Sequence, residues 1–239
     1  MFTPTRTARW TGGAYLGLAL AGMLGFLVLR PQLHVPGDSA ATLANLVDRG
    51  ALVQAAIALE LLIVVAQALA AVGFYALFRA DRPVAAFSVA TFGMANAAAV
   101  LGSAAMIVAA YGLASSPSPV GDPVMIAALF AVADAFWTVG AVFFGLWLIP
   151  MGWFALSTRR FPRVLGWILV IGGAGYVLDA FLSSSAPWLP SVVGDVMVIP
   201  ATIGELWMIG YLLVCGIRPA LAVSPAGAIP EPVAATRDR

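Results

Sequence analysis

Long apolar runs dominate the chain, and the short segments between them concentrate arginine, proline and glycine. A helix that crosses a bilayer needs about 20 consecutive, mostly apolar residues. Six runs meet this requirement, and we interpret each as one membrane-spanning helix. We expect Pro150 and Pro200 to kink or end the fourth and sixth spans, because proline removes a helical hydrogen bond. The six spans cover residues 10–30, 51–79, 83–112, 123–157, 164–184 and 192–217.

Composition agrees with a lipid-exposed surface. The chain is 62% hydrophobic and only 10% charged, with a mean hydropathy of +0.99, whereas soluble domains carry about 25% charged residues. We therefore predict an all-α polytopic bundle of six transmembrane helices. This domain covers residues 1–217, and the Ala- and Pro-rich segment 218–239 is predicted to be a disordered cytoplasmic tail.

The arginines indicate how the bundle is oriented. Lysine is absent, so all twelve basic residues are arginine. With six spans, one side of the membrane receives only Arg30 and Arg49, and the other side receives the remaining ten. Because basic loops stay in the cytoplasm, both termini are predicted to be cytoplasmic, and the protein is predicted to be a multi-pass plasma-membrane protein.

Two local patterns predict further structure. In the largest outer loop, Asp38 precedes an apolar-spaced stretch and is a candidate N-cap for a short surface helix; a simple connector is the alternative. Small residues recur every four positions in the first span, and several glycines fall in the fifth, which favours close helix packing. These small residues are Gly13, Gly17, Ala21 and Gly25, and Gly166, Gly172, Gly173 and Gly175.

Carboxylates inside the spans are the candidate functional groups, because a charge at membrane depth is costly and normally faces the protein interior or water. Helical rise places Glu60, Asp134 and Glu205 roughly 13–20 Å below the outer surface, whereas Asp179 and Asp195 lie near the outer rim. We expect the three deep acids to form a polar seam, with at least one of them protonated at neutral pH.

Other polar side chains fall on the same helical faces or one turn away. The additional candidate ligand-binding residues are Asn96, Trp137, Tyr176 and Arg30. No lysine or arginine is expected at the midplane. Arg30 is the nearest basic residue, and we expect it to pair with Asp179 or Asp195 at the outer rim.

Three interpretations of the acids stay open. They are neutral structural groups between helices, or they line a site for a cation, an amine or a lipid headgroup with possible proton coupling, or they serve an intramembrane enzyme acting on a lipid or isoprenoid. The corresponding functions are a structural or regulatory component, a binding protein or small proton-coupled transporter, and an enzyme. Nothing else in the sequence argues for an enzyme.

One cysteine and one histidine predict no metal site and no cofactor. Scattered arginines argue against nucleic acid as a partner, which leaves the lipid bilayer and a small cationic or lipid ligand.

Several short segments, in order along the chain, resemble the bacterial membrane proteins of domain-of-unknown-function family 4386. The segments are RTAR at 6–9, GAYL at 13–16, VPGD at 35–38, VFFGL at 142–146, FPRVLG at 161–166, GYVLD at 175–179 and IPATIGEL at 199–206. The resemblance implies a multi-helix membrane protein and falls on Asp38, Asp179 and Glu205, but it implies no activity. It also implies a histidine and a second acid after Asp134, where this chain has 136–138 as Phe-Trp-Thr.

Overall fold

The computed structural model describes residues 3–116, 122–186, 188–190 and 192–219, and these residues form helices and no strands. Within them, six helical segments are long and apolar enough to cross a membrane. The first segment runs from Pro4 to Gln32 and changes helix type along its length. It comprises α1 (Pro4–Gly22), a π-helical segment (Met23–Leu29) and a 3₁₀ turn (Arg30–Gln32). The remaining helices are α2 (Ser39–Asp48), α3 (Gly50–Phe78), α4 (Pro83–Ala114), α5 (Pro123–Thr158), α6 (Arg163–Ser185) and α7 (Val192–Val214).

The six long helices close into a ring. Each of α3 to α6 packs against the next helix, and α1 packs against both α3 and α7. Thr5 lies beside Gly216, so both ends of the described chain meet at one end of the bundle. We call this end, which also carries the 79–82 and 159–163 loops, the arginine-rich end, and we call the other the α2 end.

Aromatic side chains fill the centre of the ring. Tyr15 meets Phe74 and Trp147 edge-on, with centroids 5.7 and 5.4 Å away. Towards the arginine-rich end, Phe78 stacks on Phe154 at 3.6 Å, and Phe161 packs against both. These rings close the arginine-rich half of the interior with apolar surface.

Small residues set the closest helix contacts, although not all those predicted. In α6, a Cβ at Gly172 would overlap the backbone of Ala201, and one at Gly173 or Gly175 would overlap carbonyl oxygens of neighbouring helices. In the first segment, Gly17 of α1 and Gly25 of the π-helical part face α3, but a Cβ at Gly13 would meet nothing within 4 Å. Gly13 therefore takes no part in the close packing predicted for the small residues of the first span.

Neither internal proline ends its helix. Pro150 lies within α5, which continues to Thr158, and Pro200 lies within α7, which continues to Val214. Of the two outcomes predicted for these prolines, a kink or an end of the span, the end does not occur. Packing against neighbours holds a helix together across one missing hydrogen bond.

The segment between the first two spans carries α2, which Asp38 caps by accepting a hydrogen bond of 2.8 Å from the amide of Ala41. Leu46 of α2 is buried in an apolar cluster with Ile126 and Phe130 of α5. This helix therefore covers the α2 end of the bundle. Of the predicted tail at 218–239, residues 220–239 lie outside the described residues.

Candidate functional site: a buried ion-pair network

The central residue of the site is Arg30, which comes directly after the π-helical segment. Its amide donates to the carbonyl of Gly25, five residues back. In a regular α-helix residues five apart point about 140° away from each other, but the wider π turn brings them towards the same side. Gly25 and Arg30 are accordingly both buried.

Two carboxylates from different helices share the Arg30 guanidinium. Its Nη1 lies 2.8 Å from Oε1 of Glu60 in α3, and its Nη2 lies 2.8 Å from Oδ1 of Asp134 in α5. The Arg30 and Glu60 side chains are only 7% and 6% exposed. Asp134 is 40% exposed, so one carboxylate of the network remains accessible.

Neutral donors complete the Glu60 side of the network. The Ser103 hydroxyl of α4 donates to Glu60 Oε1 at 3.2 Å, and the Trp137 indole of α5 donates to the same oxygen at 3.3 Å. Hydrogen bonding to a carboxylate stabilises its charge in a low-dielectric interior. Glu60 of α3 thus connects the end of the first segment with α4 and α5 through one oxygen atom.

The only histidine of the chain belongs to the same network. His34 Nδ1 lies 3.1 Å from Asp134 Oδ2, and the imidazole ring stacks on Phe130 with centroids 5.2 Å apart. Asp134 therefore lies between Arg30 and His34. If His34 is neutral, the Arg30 guanidinium is the one positive charge beside the carboxylates of Glu60 and Asp134. If His34 is protonated, the network holds two positive and two negative charges.

These contacts correct the expectation that no basic group reaches the deep acids. Arg30 reaches Glu60 and Asp134, so the prediction that it pairs with Asp179 or Asp195 at the rim is wrong. Asp179 accepts a hydrogen bond from Ser183 at 3.1 Å and lies against Gly194 of α7. Asp195 is exposed.

The third deep acid occupies a separate position nearer the centre. Glu205 of α7 accepts a hydrogen bond of 2.6 Å from the hydroxyl of the buried Tyr15. Tyr176 of α6 is near enough to interact electrostatically with Glu205 and packs edge-on against Phe144. Among the described residues Glu205 forms no ion pair. The predicted seam is therefore two sites, one ionic and one built on a tyrosine.

Buried amides lie between and beside these sites. Asn96 of α4 is 7% exposed and lies near Gly140 of α5. Gln67 of α3 is fully buried, and within the described part of the chain neither its amide oxygen nor its amide nitrogen has a hydrogen-bond partner. The second Glu60 oxygen, Oε2, is also buried without a partner.

The set of site residues predicted from the sequence lacks three that the structure adds, Tyr15, His34 and Ser103. Tyr15 and Ser103 look like ordinary polar positions of an apolar span, and His34 falls in a loop. One feature of the sequence could have indicated the network. Several acids lie deep in the spans, and a single arginine, Arg30, lies at the end of an apolar run. No group of three or more side chains suited to holding a metal occurs in the described ranges.

Fold and site together define the class, a polytopic helical membrane protein with an ion-pair network inside its bundle. The family model described as Domain of unknown function (DUF4386) matches residues 10–216, and the chain belongs to this family. No curated protein and no solved structure matches the chain.

Proposed function

We propose that this protein binds a small organic cation, such as a primary amine, at Asp134, and that the cation enters from the α2 end. The observation that carries the proposal is the shared guanidinium, because one arginine serves two carboxylates and leaves a negative charge without a full partner. A ligand cation supplies the missing charge.

The difference in exposure between the two acids favours Asp134 as the residue that contacts the cation. Glu60 is almost fully buried and keeps Arg30, whereas Asp134 is 40% exposed. A ligand that takes over the Asp134 carboxylate leaves the buried Arg30–Glu60 pair intact. This matters because an unpaired buried charge costs several kcal/mol, about 3–5 when one partner is removed.

Aromatic groups beside the acids suit an organic cation. Phe26 packs on Trp137 with centroids 4.8 Å apart, and Phe130 supports His34. Aromatic faces attract ammonium groups, with about 0.5–2 kcal/mol for each favourable contact. A carboxylate surrounded by such rings binds an amine better than a fully hydrated metal ion.

The test is calorimetric titration of the protein in bilayer nanodiscs with ethylamine, ethanolamine and choline, and with ethanol as the uncharged probe. We expect at least one amine to bind, ethanol not to bind, and Asp134→Asn to weaken amine binding tenfold or more. Asp195→Asn is the matched control, because it makes the same change on an exposed acid of α7 near the same end. Equal affinity in both variants, or no amine binding to the wild type, would refute the proposal.

A small proton-coupled transporter is the second candidate, and the separate acid Glu205 favours it. Its carboxyl binds a tyrosine hydroxyl and no cation within the described residues, so it can exchange a proton without breaking an ion pair. Substrate flux into liposomes should then depend on pH and be lost in Glu205→Gln. Conversion of an added lipid or isoprenoid would instead support an intramembrane enzyme, and unchanged function after substitution of both Glu60 and Glu205 would support a structural or regulatory role.

We further propose that both termini are cytoplasmic and that the membrane is the plasma membrane. The arginine-rich end carries the 79–82 and 159–163 loops, and the positive-inside rule assigns such an end to the cytoplasm.

A further inference from the structure

We propose that Gln67 holds bound water which links Glu60 to the Tyr15–Glu205 pair, so that a proton passes between the two acid sites inside the bundle. Gln67 lies seven residues after Glu60 and seven before Phe74, and these three residues share one face of α3. Each interval is about 10 Å along the helix. Gln67 is therefore halfway between the ion-pair network and the aromatic cluster that holds Tyr15.

The amide group of Gln67 needs hydrogen-bond partners because it is buried. Its side chain is completely buried, and neither polar atom of its amide has a hydrogen-bond partner among the residues that the structure describes. An unsatisfied polar group at membrane depth costs several kcal/mol. Proteins normally satisfy such groups with internal water, which makes about three hydrogen bonds per molecule.

Unpartnered atoms occur on both sides of Gln67. Towards the α2 end, Oε2 of Glu60 is buried and has no hydrogen-bond partner in the described ranges. Beyond Gln67, the buried indole nitrogen of Trp147 has none there either. Trp147 packs against Tyr15, whose hydroxyl binds Glu205. Three separate groups thus lack partners along one path through the interior, which is the arrangement that a chain of water molecules satisfies.

The proton transfer balances along this path. Glu205 releases a proton to the nearest water, each water accepts one proton and passes on another, and Oε2 of Glu60 accepts the last. Glu205 becomes a carboxylate that Tyr15 stabilises by its hydrogen bond, and Glu60 becomes a neutral acid. The Arg30 guanidinium then has Asp134 as its only carboxylate, which displaces a cation from Asp134; this last consequence rests on the proposed function.

Infrared spectroscopy of the protein in nanodiscs tests the link directly. The carboxylic-acid stretch that disappears in Glu205→Gln belongs to Glu205, and its shift after transfer to D₂O reports how fast its proton exchanges. We expect Gln67→Leu to slow this shift tenfold or more, and Gln67→Met to act in the same way if the leucine variant folds poorly. Gln54→Leu, at an exposed position of the same helix, should leave the rate unchanged.

An unchanged exchange rate in both Gln67 variants would overturn the inference, as would a wild-type spectrum with no acid band assignable to Glu205. Amine titration of Gln67→Leu separates this inference from the proposed function. Slowed exchange with intact amine binding supports the water link, and intact exchange rules it out whatever the amine affinity.

Discussion

At the scale of single residues, Arg30 determines the electrostatics of the interior. Without it, Glu60 would be a buried charge with only the Ser103 and Trp137 donors. With it, the end of the first segment is bound to α3 and α5 by two contacts of 2.8 Å. The residue therefore contributes more through the charges that it neutralises than through the apolar surface that it covers.

Replacing Arg30 with glutamine should lower the free energy of unfolding by about 3–5 kcal/mol, because it leaves a buried carboxylate unpaired. Chemical denaturation in detergent micelles, followed by circular dichroism, measures the change. Arg49→Gln is the control, because Arg49 is exposed and only donates to the carbonyl of Gln32. Similar losses in the two variants would mean that the buried network does not stabilise the fold.

Residue patterns alone predicted several members of the site but not their partners. Glu60, Asp134 and Glu205 stand out because charge is rare in an apolar span. The partner of the first two was misassigned because Arg30 lies at the outer end of the first span, which by depth alone pairs it with the rim acids. In the structure the π-helical segment turns Arg30 towards the buried side. Tyr15 gave no signal because a tyrosine in a span is also an ordinary packing residue.

At the scale of helices, α6 shows what the glycine pattern means. Its glycines bring the backbone against α5 and α7, where a methyl group would overlap main-chain atoms. In lipid the hydrophobic effect gives little attraction between helices, so this close approach is a principal source of packing energy. The same residue type at Gly13 of α1 makes no such contact.

These two positions form a matched pair for substitution. Gly172→Ala should destabilise the protein by about 1–3 kcal/mol, because the new methyl group forces α6 away from Ala201. Gly13→Ala should leave stability unchanged or raise it by up to about 1 kcal/mol, because alanine favours the helix and meets nothing. Denaturation of both variants under one condition measures the difference. Equal changes in the free energy of unfolding would show that the α6–α7 contact accommodates a methyl group without loss of stability.

At the scale of the whole molecule, the two ends of the ring differ. The arginine-rich half is closed by stacked aromatic rings, and α1 meets α7 there, with Gly12 against Leu212. The α2-end half holds the ion-pair network and the partly exposed Asp134. The interior is thus polar and accessible on one side and apolar and sealed on the other.

This asymmetry makes the orientation testable in intact cells. In a Cys215→Ser background, cysteine at Val47, which is 59% exposed on α2, should react with a membrane-impermeant thiol reagent added outside. Cysteine at Ala80, in the exposed loop between α3 and α4, should react only after the cells are permeabilised. The reverse pattern would place the arginine-rich end outside and contradict the proposed orientation.

The sequence by itself determined the class of fold, a set of six long apolar helices, because a bilayer demands long apolar helices and excludes unpaired backbone. It also marked the deep acids. Only the tertiary structure decided which charges meet, that α5 and α7 continue through their prolines, and that Glu205 lies apart from Glu60 and Asp134. Those outcomes depend on the rotation of each helix about its axis, and in a span that is apolar all round, hydrophobicity does not specify that rotation.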